Sequence, residues 1–160
     1  MAVAIRLPAI ALWLMKDKPE KYFIDTNVLV YAHDMQDVRK QSKAREVIFD
    51  GLRLGTAVIS TQVLSEFFVT ITQKIEKPLS VVKAKKEIIL LSNLEIIEVD
   101  APMITRAIDI KMKWRLSYWD SLILSAAERG QCSKLYSEDF SDGQNYDSVR
   151  IRNIFSSRQP

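Results

Sequence analysis

Apolar positions along this chain come in two patterns. Short runs, KYFIDT (21–26), TAVIS (56–60), EIIEV (95–99), KLYSED (134–139) and VRIRNI (149–154), are rich in β-branched and aromatic residues. They are apolar on both faces, as strands covered on both sides must be. Between them, apolar residues recur every three or four positions. NVLVYAHD (27–34) reads as a brief helix or turn. Longer helices are predicted over 38–54, 61–77 (closed by Pro78), 80–94 (Ser80 as N-cap) and 101–115 (Pro102 in its first turn). A last helix is predicted over 119–130, with Asp120 in the N-cap region and Gly130 at the C-cap. Strands alternating with helices predict a parallel sheet with helices on both faces. In such sheets chemistry sits outside the carboxyl ends of the strands. Polar residues at strand ends and helix starts should therefore converge on one rim. No internal repeat, low-complexity tract or interdomain linker is visible.

The first 20 residues depart from this pattern. Thirteen of the first 15 are apolar, but the unbroken stretch after Arg6 is only Leu7 to Met15, with Pro8 inside it. That is about half of what a membrane span needs. No small-x-small cleavage site precedes LMKDKPEKYF. Residues 1–20 read as an N-terminal extension, either a mis-assigned start with translation beginning at Met15, or an extra helix packed on the domain or on a second copy. Residues 21–160 read as one domain.

Composition narrows the chemistry. The 160 residues are 48% apolar and 27% charged, the proportions of one globular domain. Cys132 is the only cysteine, which excludes a disulfide scaffold. One cysteine with one histidine, His33, cannot supply a four-ligand zinc site, and a Ser-His-Asp triad could use only His33. Twenty-three bases against 20 acids give +3 and a pI near 9.0, which permits a nucleic-acid partner.

Four acids fall on the expected rim. Asp25 ends the first strand and Glu66 lies about two turns into the helix after the second. Asp120 opens the helix before the fourth strand, and Asp139 ends that strand, with Glu138 and Asp142 nearby. Alone, each has a bland reading. Asp25-Thr26-Asn27 can be an Asx turn, Asp120 an N-cap, Glu66 a solvated helix residue, and Asp139 a turn residue before Ser141, Asp142 and Gly143. However, Val63, Leu64, Phe67 and Phe68 bury the Glu66 segment, and the acids sit at matching strand ends. Carboxylates a few ångströms apart resist joint ionisation unless a cation neutralises them. Oxygen-only ligands suit Mg²⁺ or Mn²⁺, which activates water and stabilises a phosphoryl oxygen.

YFIDTNVLVYAHD (22–34), STQVLSEFF (60–68), SYWDSLILSAA (117–127) and LYSEDFSDGQ (135–144) resemble the PIN domain, and above all the toxins of VapBC-type bacterial toxin–antitoxin pairs. The resemblance covers about Lys21 to Phe155. It implies a three-layer α/β/α sandwich with a mostly parallel sheet of about five strands. It also implies a cytoplasmic, Mg²⁺- or Mn²⁺-dependent endoribonuclease with RNA as substrate. The family's acidic quartet carries onto Asp25, Glu66, Asp120 and Asp139. Thr26 or Asn27 would orient a carboxylate or water, and Ser137 matches a frequent hydroxyl before the last acid. Asp142 is a candidate fifth acid. Glu138, next to Asp139 in an extended segment, should point the other way. The implied partners are a cognate antitoxin, whose C-terminal segment covers the groove with an Arg or Lys among the acids, and a second copy of the chain. Helices 80–94 and 101–115 are the expected homodimer surface.

Other readings fare less well. A haloacid-dehalogenase-type phosphatase wants a second Asp where Asn27 stands, and a receiver domain's strand-end Asp and late Lys are not matched. The alternative within the family is a non-catalytic RNA- or protein-binding module, which predicts a broken quartet where this one is intact. Without the quartet, 16 acids face 23 bases. Three basic clusters could carry a phosphate backbone: Lys40/Lys43/Arg45, Lys83/Lys85/Lys86 and Lys111/Lys113/Arg115. Solvated helix faces explain them equally. Trp114, Tyr118 and Trp119 could stack bases, although Trp119, beside Leu122 and Ile123, is expected in the core. His33 is expected to make a structural hydrogen bond.

Overall fold

The computed structural model describes residues 19–156, so residues 1–18 of the proposed extension lie outside the described part. The chain runs β1 (Tyr22–Ile24), α1 (Thr26–Tyr31), α2 (Val38–Leu54), β2 (Ala57–Ser60), α3 (Thr61–Gln73) and α4 (Val81–Leu91). It continues as β3 (Glu95–Ile97), α5 (Ala101–Trp114), α6 (Tyr118–Arg129), β4 (Lys134–Tyr136), β5 (Asn145–Tyr146) and β6 (Val149–Arg152). The strands form one sheet in the order β3-β2-β1-β4-β6-β5. Every pairing is parallel except β5–β6.

Two close contacts establish the layers. A Cβ at Gly51 of α2 would run into the Ala57 side chain, and a Cβ at Gly130, after α6, would stand 2.9 Å from Val58 Cγ1. Ala57 and Val58 are successive residues of β2, so they face opposite sides of the sheet. Helices α2 and α6 therefore cover opposite faces, as the three-layer sandwich requires. All four residues of β2 are buried, as are Phe23 and Ile24 of β1. Helix α6 lies deepest: Ser121 to Ala127 are buried without a break. Small residues make this possible, and Ser125 Oγ meets its needs by donating to Met103 O at 3.0 Å.

The topology creates a crevice. From β1 the chain builds outward through β2 to β3, then returns so that β4 pairs on the other side of β1. The order reverses between β1 and β4, and their carboxyl ends diverge there. The register pairs Ile24 with Tyr136, so Asp25 and Ser137 emerge side by side, with Asp25 N donating to Tyr136 O at 3.0 Å.

Several expectations need correction. The sheet of about five strands has six among the described residues, the added one being the two-residue hairpin strand β5, which carries no alternation that a sequence reading can detect. Helix α3 ends at Gln73, short of 77, and α4 at Leu91, short of 94. The N-cap of α6 is Ser117, whose Oγ accepts from Asp120 N at 3.1 Å; Asp120 sits in the first turn. β4 stops at Tyr136, so Asp139 stands on the following loop. Trp119 is not core. Its side is 61% exposed because the buried run of α6 begins two residues later, at Ser121. Among the described residues no helix is long and apolar enough to cross a membrane.

Candidate active site

Asp25 follows β1 directly and caps α1. Its Oδ1 accepts from Thr26 N at 2.7 Å, so the Asx-type capping role is real. Its Oδ2 accepts from Ser137 Oγ at 2.6 Å and from Asn27 Nδ2 at 3.2 Å. The carboxyl is buried, and loss of water pushes its pKa up to about 7. The hydrogen bonds from Ser137 and Thr26 pull it down, while the charges of Asp139 and Glu66 push it further up.

The two polar residues after Asp25 have separate tasks. Asn27 Nδ2 spans Asp25 and Asp139, lying 3.0 Å from Asp139 Oδ2, and Asn27 Oδ1 accepts from Glu138 N at 3.3 Å. Thr26 Oγ1 reaches across to α3 and donates to Glu66 Oε2 at 2.8 Å. Ser137 Oγ also accepts from Asp139 N at 3.1 Å, which fixes the loop carrying that acid. Three of the four expected acids, Asp25, Glu66 and Asp139, are thus tied into one network through Thr26, Asn27 and Ser137. The fourth is joined at one remove. Asp120 Oδ2 accepts from Ser117 Oγ at 2.7 Å. Beside it, Trp119 O accepts at 3.4 Å from Gln62 Nε2, which also donates to Glu66 Oε1 at 2.9 Å.

Two nearby acids are engaged elsewhere. Glu138 turns away as its position predicts: Lys40 pairs with its Oε1, and Tyr31 donates to its Oε2 at 2.5 Å. Burial opposes its charge, but these two partners hold its pKa below the usual carboxylate range. Asp142 Oδ1 accepts from Asn153 N at 2.9 Å, so it pins the loop to the C-terminal segment, and no hydrogen bond links it to the quartet.

These residues border a groove of about 960 Å³ that runs along α3, with Thr26, Asn27, Gln62, Glu66, Trp119 and Asp139 in its walls. Lys74 lines its far end. Of the basic clusters, the first is largely occupied: Lys40 pairs with Glu138, Lys43 with Glu46, and Arg45 donates to Ala32 O. In the third, Lys113 pairs with Asp147 and Lys111 donates to Leu116 O. Lys83, Lys85 and Lys86 make no ion pair among the described residues. His33 packs tilted on Phe67, with Nε2 3.7 Å from a Glu87 oxygen; burial lowers its pKa.

The donor set suits a hard divalent cation. All its ligand atoms are oxygens, and its buried member is held against ionisation chiefly by loss of water, with the charges of Asp139 and Glu66 adding to it; a cation would offset both. Among the described residues no three acidic, His or Cys side chains stand close enough to share one ion.

The PIN domain family model matches residues 22–141. No curated protein matches the chain. Among solved structures, similarity extends to VapC20 of Mycobacterium tuberculosis, a sarcin–ricin-loop-cleaving toxin. There the identity is 16% and the TM-score 0.60, over 74% of this chain and 90% of that one. VapBC2 of Rickettsia felis, bound to a promoter DNA fragment, gives 20%, 0.59, 82% and 96% in the same order. DNA-bound VapBC of Salmonella typhimurium gives 16%, 0.61, 84% and 98%. At these identities the likeness is one of fold.

Proposed function

The chain belongs to the PIN domain family, and from that premise we propose that it is a Mg²⁺- or Mn²⁺-dependent endoribonuclease, the toxin of a toxin–antitoxin pair acting in the cytoplasm. The observation that carries this reading is the buried Asp25 carboxyl, linked to Glu66 and Asp139 at the sheet's switch point by Thr26, Asn27 and Ser137. Asp25, Glu66, Asp120 and Asp139 would hold the cation, one or two of them directly and the others through its waters. When bound, it lowers the pKa of a water and stabilises charge on a phosphoryl oxygen.

The chain's own residues do the rest. Asn27 keeps the Asp25 and Asp139 oxygens turned toward each other, and Thr26 aims Glu66 into the groove. Gln62 holds Glu66 from the other side and ties it to the start of α6, where Asp120 stands. Asp25, with its pKa near 7, must give up a proton from its carboxyl before it can act as a ligand. Hydrolysis then proceeds by in-line attack of water on phosphorus, with the 3′-oxygen leaving and a 5′-phosphate formed.

The antitoxin reading is supported by neighbours of the same fold that are described as toxin–antitoxin complexes. Its C-terminal segment would cover the groove with an Arg or Lys among the acids. The homodimer surface would use α4 and α5, which expose Val81, Val82, Ile89 and Leu90, and Ile104, Ile108 and Met112, respectively. The test is cleavage of total cellular RNA by antitoxin-free protein with Mg²⁺ or Mn²⁺, with EDTA, and with Asp25→Asn, the fragment ends being mapped by sequencing. Metal-dependent cuts that vanish in the variant support the proposal. A folded protein that cuts nothing in either metal would be a binding module instead.

A further inference from the structure

Trp119 is the most exposed aromatic residue bordering the groove, and scattered exposed apolar side chains are ordinary. Three features set this one apart. It lines the same groove as Glu66 and Asp139. Its main-chain oxygen accepts at 3.4 Å from the Gln62 amide that also holds Glu66, so its backbone is tied to the helix that carries that acid. Its ring meets Tyr118 edge-on at 5.2 Å, and the helix that bears it is buried from Ser121 onward. An exposed π-face therefore stands at the groove, one residue before Asp120.

At the other end stands Lys74, the only cation among the described residues that line the groove. It is exposed, follows the last turn of α3, and makes no ion pair among the described residues. Twelve residues separate it from Gln62, about 18 Å along the helix axis. The wall along α3 between them mixes Ser65 and Thr70 with Val69, and Val30, Val99 and Leu122 line the groove as well. A nucleobase needs only the exposed face of the ring, and a backbone phosphate only the lysine.

We propose that Trp119 stacks a nucleobase of single-stranded RNA beside the phosphodiester facing the acids, and that Lys74 takes a backbone phosphate farther along α3. The inference rests on the ribonuclease reading for its ligand, but its test does not need cleavage. A fluorescein-labelled, mixed-sequence RNA of roughly ten nucleotides is titrated in EDTA against the wild type, W119F, W119A and K74A, with thermal melts to verify folding.

W119A should weaken binding roughly 10- to 100-fold, the range for one lost base–aromatic stack, and W119F should retain most of it. A probe of abasic sugars should bind wild type and W119A alike. K74A should lower the salt dependence of binding by about 0.7 in logarithmic slope, one phosphate contact on a single strand. Equal affinity of W119A and wild type overturns the proposal, and RNA cleavage in the same preparation would leave the nuclease reading standing. RNA binding that depends on Trp119 without cleavage in either metal supports the platform and removes the nuclease. If W119A loses an Arg/Lys-rich peptide and not RNA, the ring belongs to a protein interface and the proposal fails.

Discussion

Replacing Asp25 by Asn should make the metal-free protein more stable in mild alkali and less stable below about pH 4. The Asp25 pKa stands at about 7 in the folded chain against 3.8 for the free side chain, chiefly because burial strips its carboxylate of water. The folded state thus binds more protons than the unfolded one between these values. Its stability is full below the unfolded pKa, falls as pH rises from about 4 to 7, and is level above. A shift of about 3 units amounts to about 4 kcal/mol lost above pH 7, relative to a neutral group that fits equally well. Asn removes this loss but fits imperfectly. It can still accept from Thr26 N, but its amide then faces Ser137 and the Asn27 amide, both donors to the native carboxylate. The Ser137 hydroxyl can turn and accept, whereas Asn27 loses a partner, at about 1–3 kcal/mol. The net is a gain of about 1–3 kcal/mol near pH 8, near equality of the two proteins around pH 5, and a loss of about 1–3 kcal/mol only below about pH 4. Urea unfolding in EDTA across this range measures it. Adding Mn²⁺ near pH 8 should stabilise the wild type and leave the variant unmoved, because the ion binds only the folded acid cluster. A difference between the two proteins that stays flat across pH, or a wild type more stable near pH 8 without metal, would refute the reasoning.

Asn27→Ala deletes the amide between Asp25 and Asp139, and should lower Mn²⁺ affinity about 10- to 100-fold by calorimetry, with a matching loss of RNA cleavage. Ser117→Ala removes the cap of α6 and the hydroxyl on Asp120; it should cost about 0.5–2 kcal/mol in denaturant melts. Gly51→Ala forces a methyl into Ala57 and to 2.9 Å from the Tyr22 hydroxyl, where α2 meets the sheet. It should destabilise by about 1–3 kcal/mol or more while leaving Mn²⁺ affinity unchanged in the protein that still folds.

What could be read in advance follows from how local each signal is. The runs at β1, β2, β3, β4 and β6 declare themselves because a strand covered on both faces needs continuous apolar residues. β5 has two residues and exists only because the chain turns at Asp147, whose φ is 50°, and meets β6. Ser117, three residues before Asp120, forms a near capping box that marks the cap of α6 one turn ahead of the acid. Trp119 stands outside the core although it neighbours Leu122 and Ile123, because helical periodicity says which side of a helix is apolar, not how deep in the layers each turn lies. At the site, Asp25 is placed from a strand end and Glu66 and Asp120 from the helices, Asp139 stands on a loop beyond β4, and Thr26, Asn27 and Ser137 come from the resemblance. The division of labour between Thr26 and Asn27 is not legible in the sequence, since it depends on partners 40 and 112 residues away. Gln62 left one trace, its spacing of four from Glu66 on the same helix. The Lys40–Tyr31–Glu138 group left none, because its members come from three separate segments.

The pairing of β1 with β4 also has a consequence for biosynthesis. Asp25 leaves the ribosome early, yet the Ser137 hydroxyl that holds it is 112 residues further on. At translation speeds of about 5–20 residues per second, the acid waits roughly 6–20 s for its partner. Until β4 slots in beside β1, the central seam of the sheet is open and Asn27 has no Asp139 to hold. A prematurely terminated chain therefore carries Asp25, Glu66 and even Asp120 without a working assembly of them. Under the proposed function, a cell making this protein is exposed to no catalytic fragment, and activity begins only when nearly the whole chain has emerged.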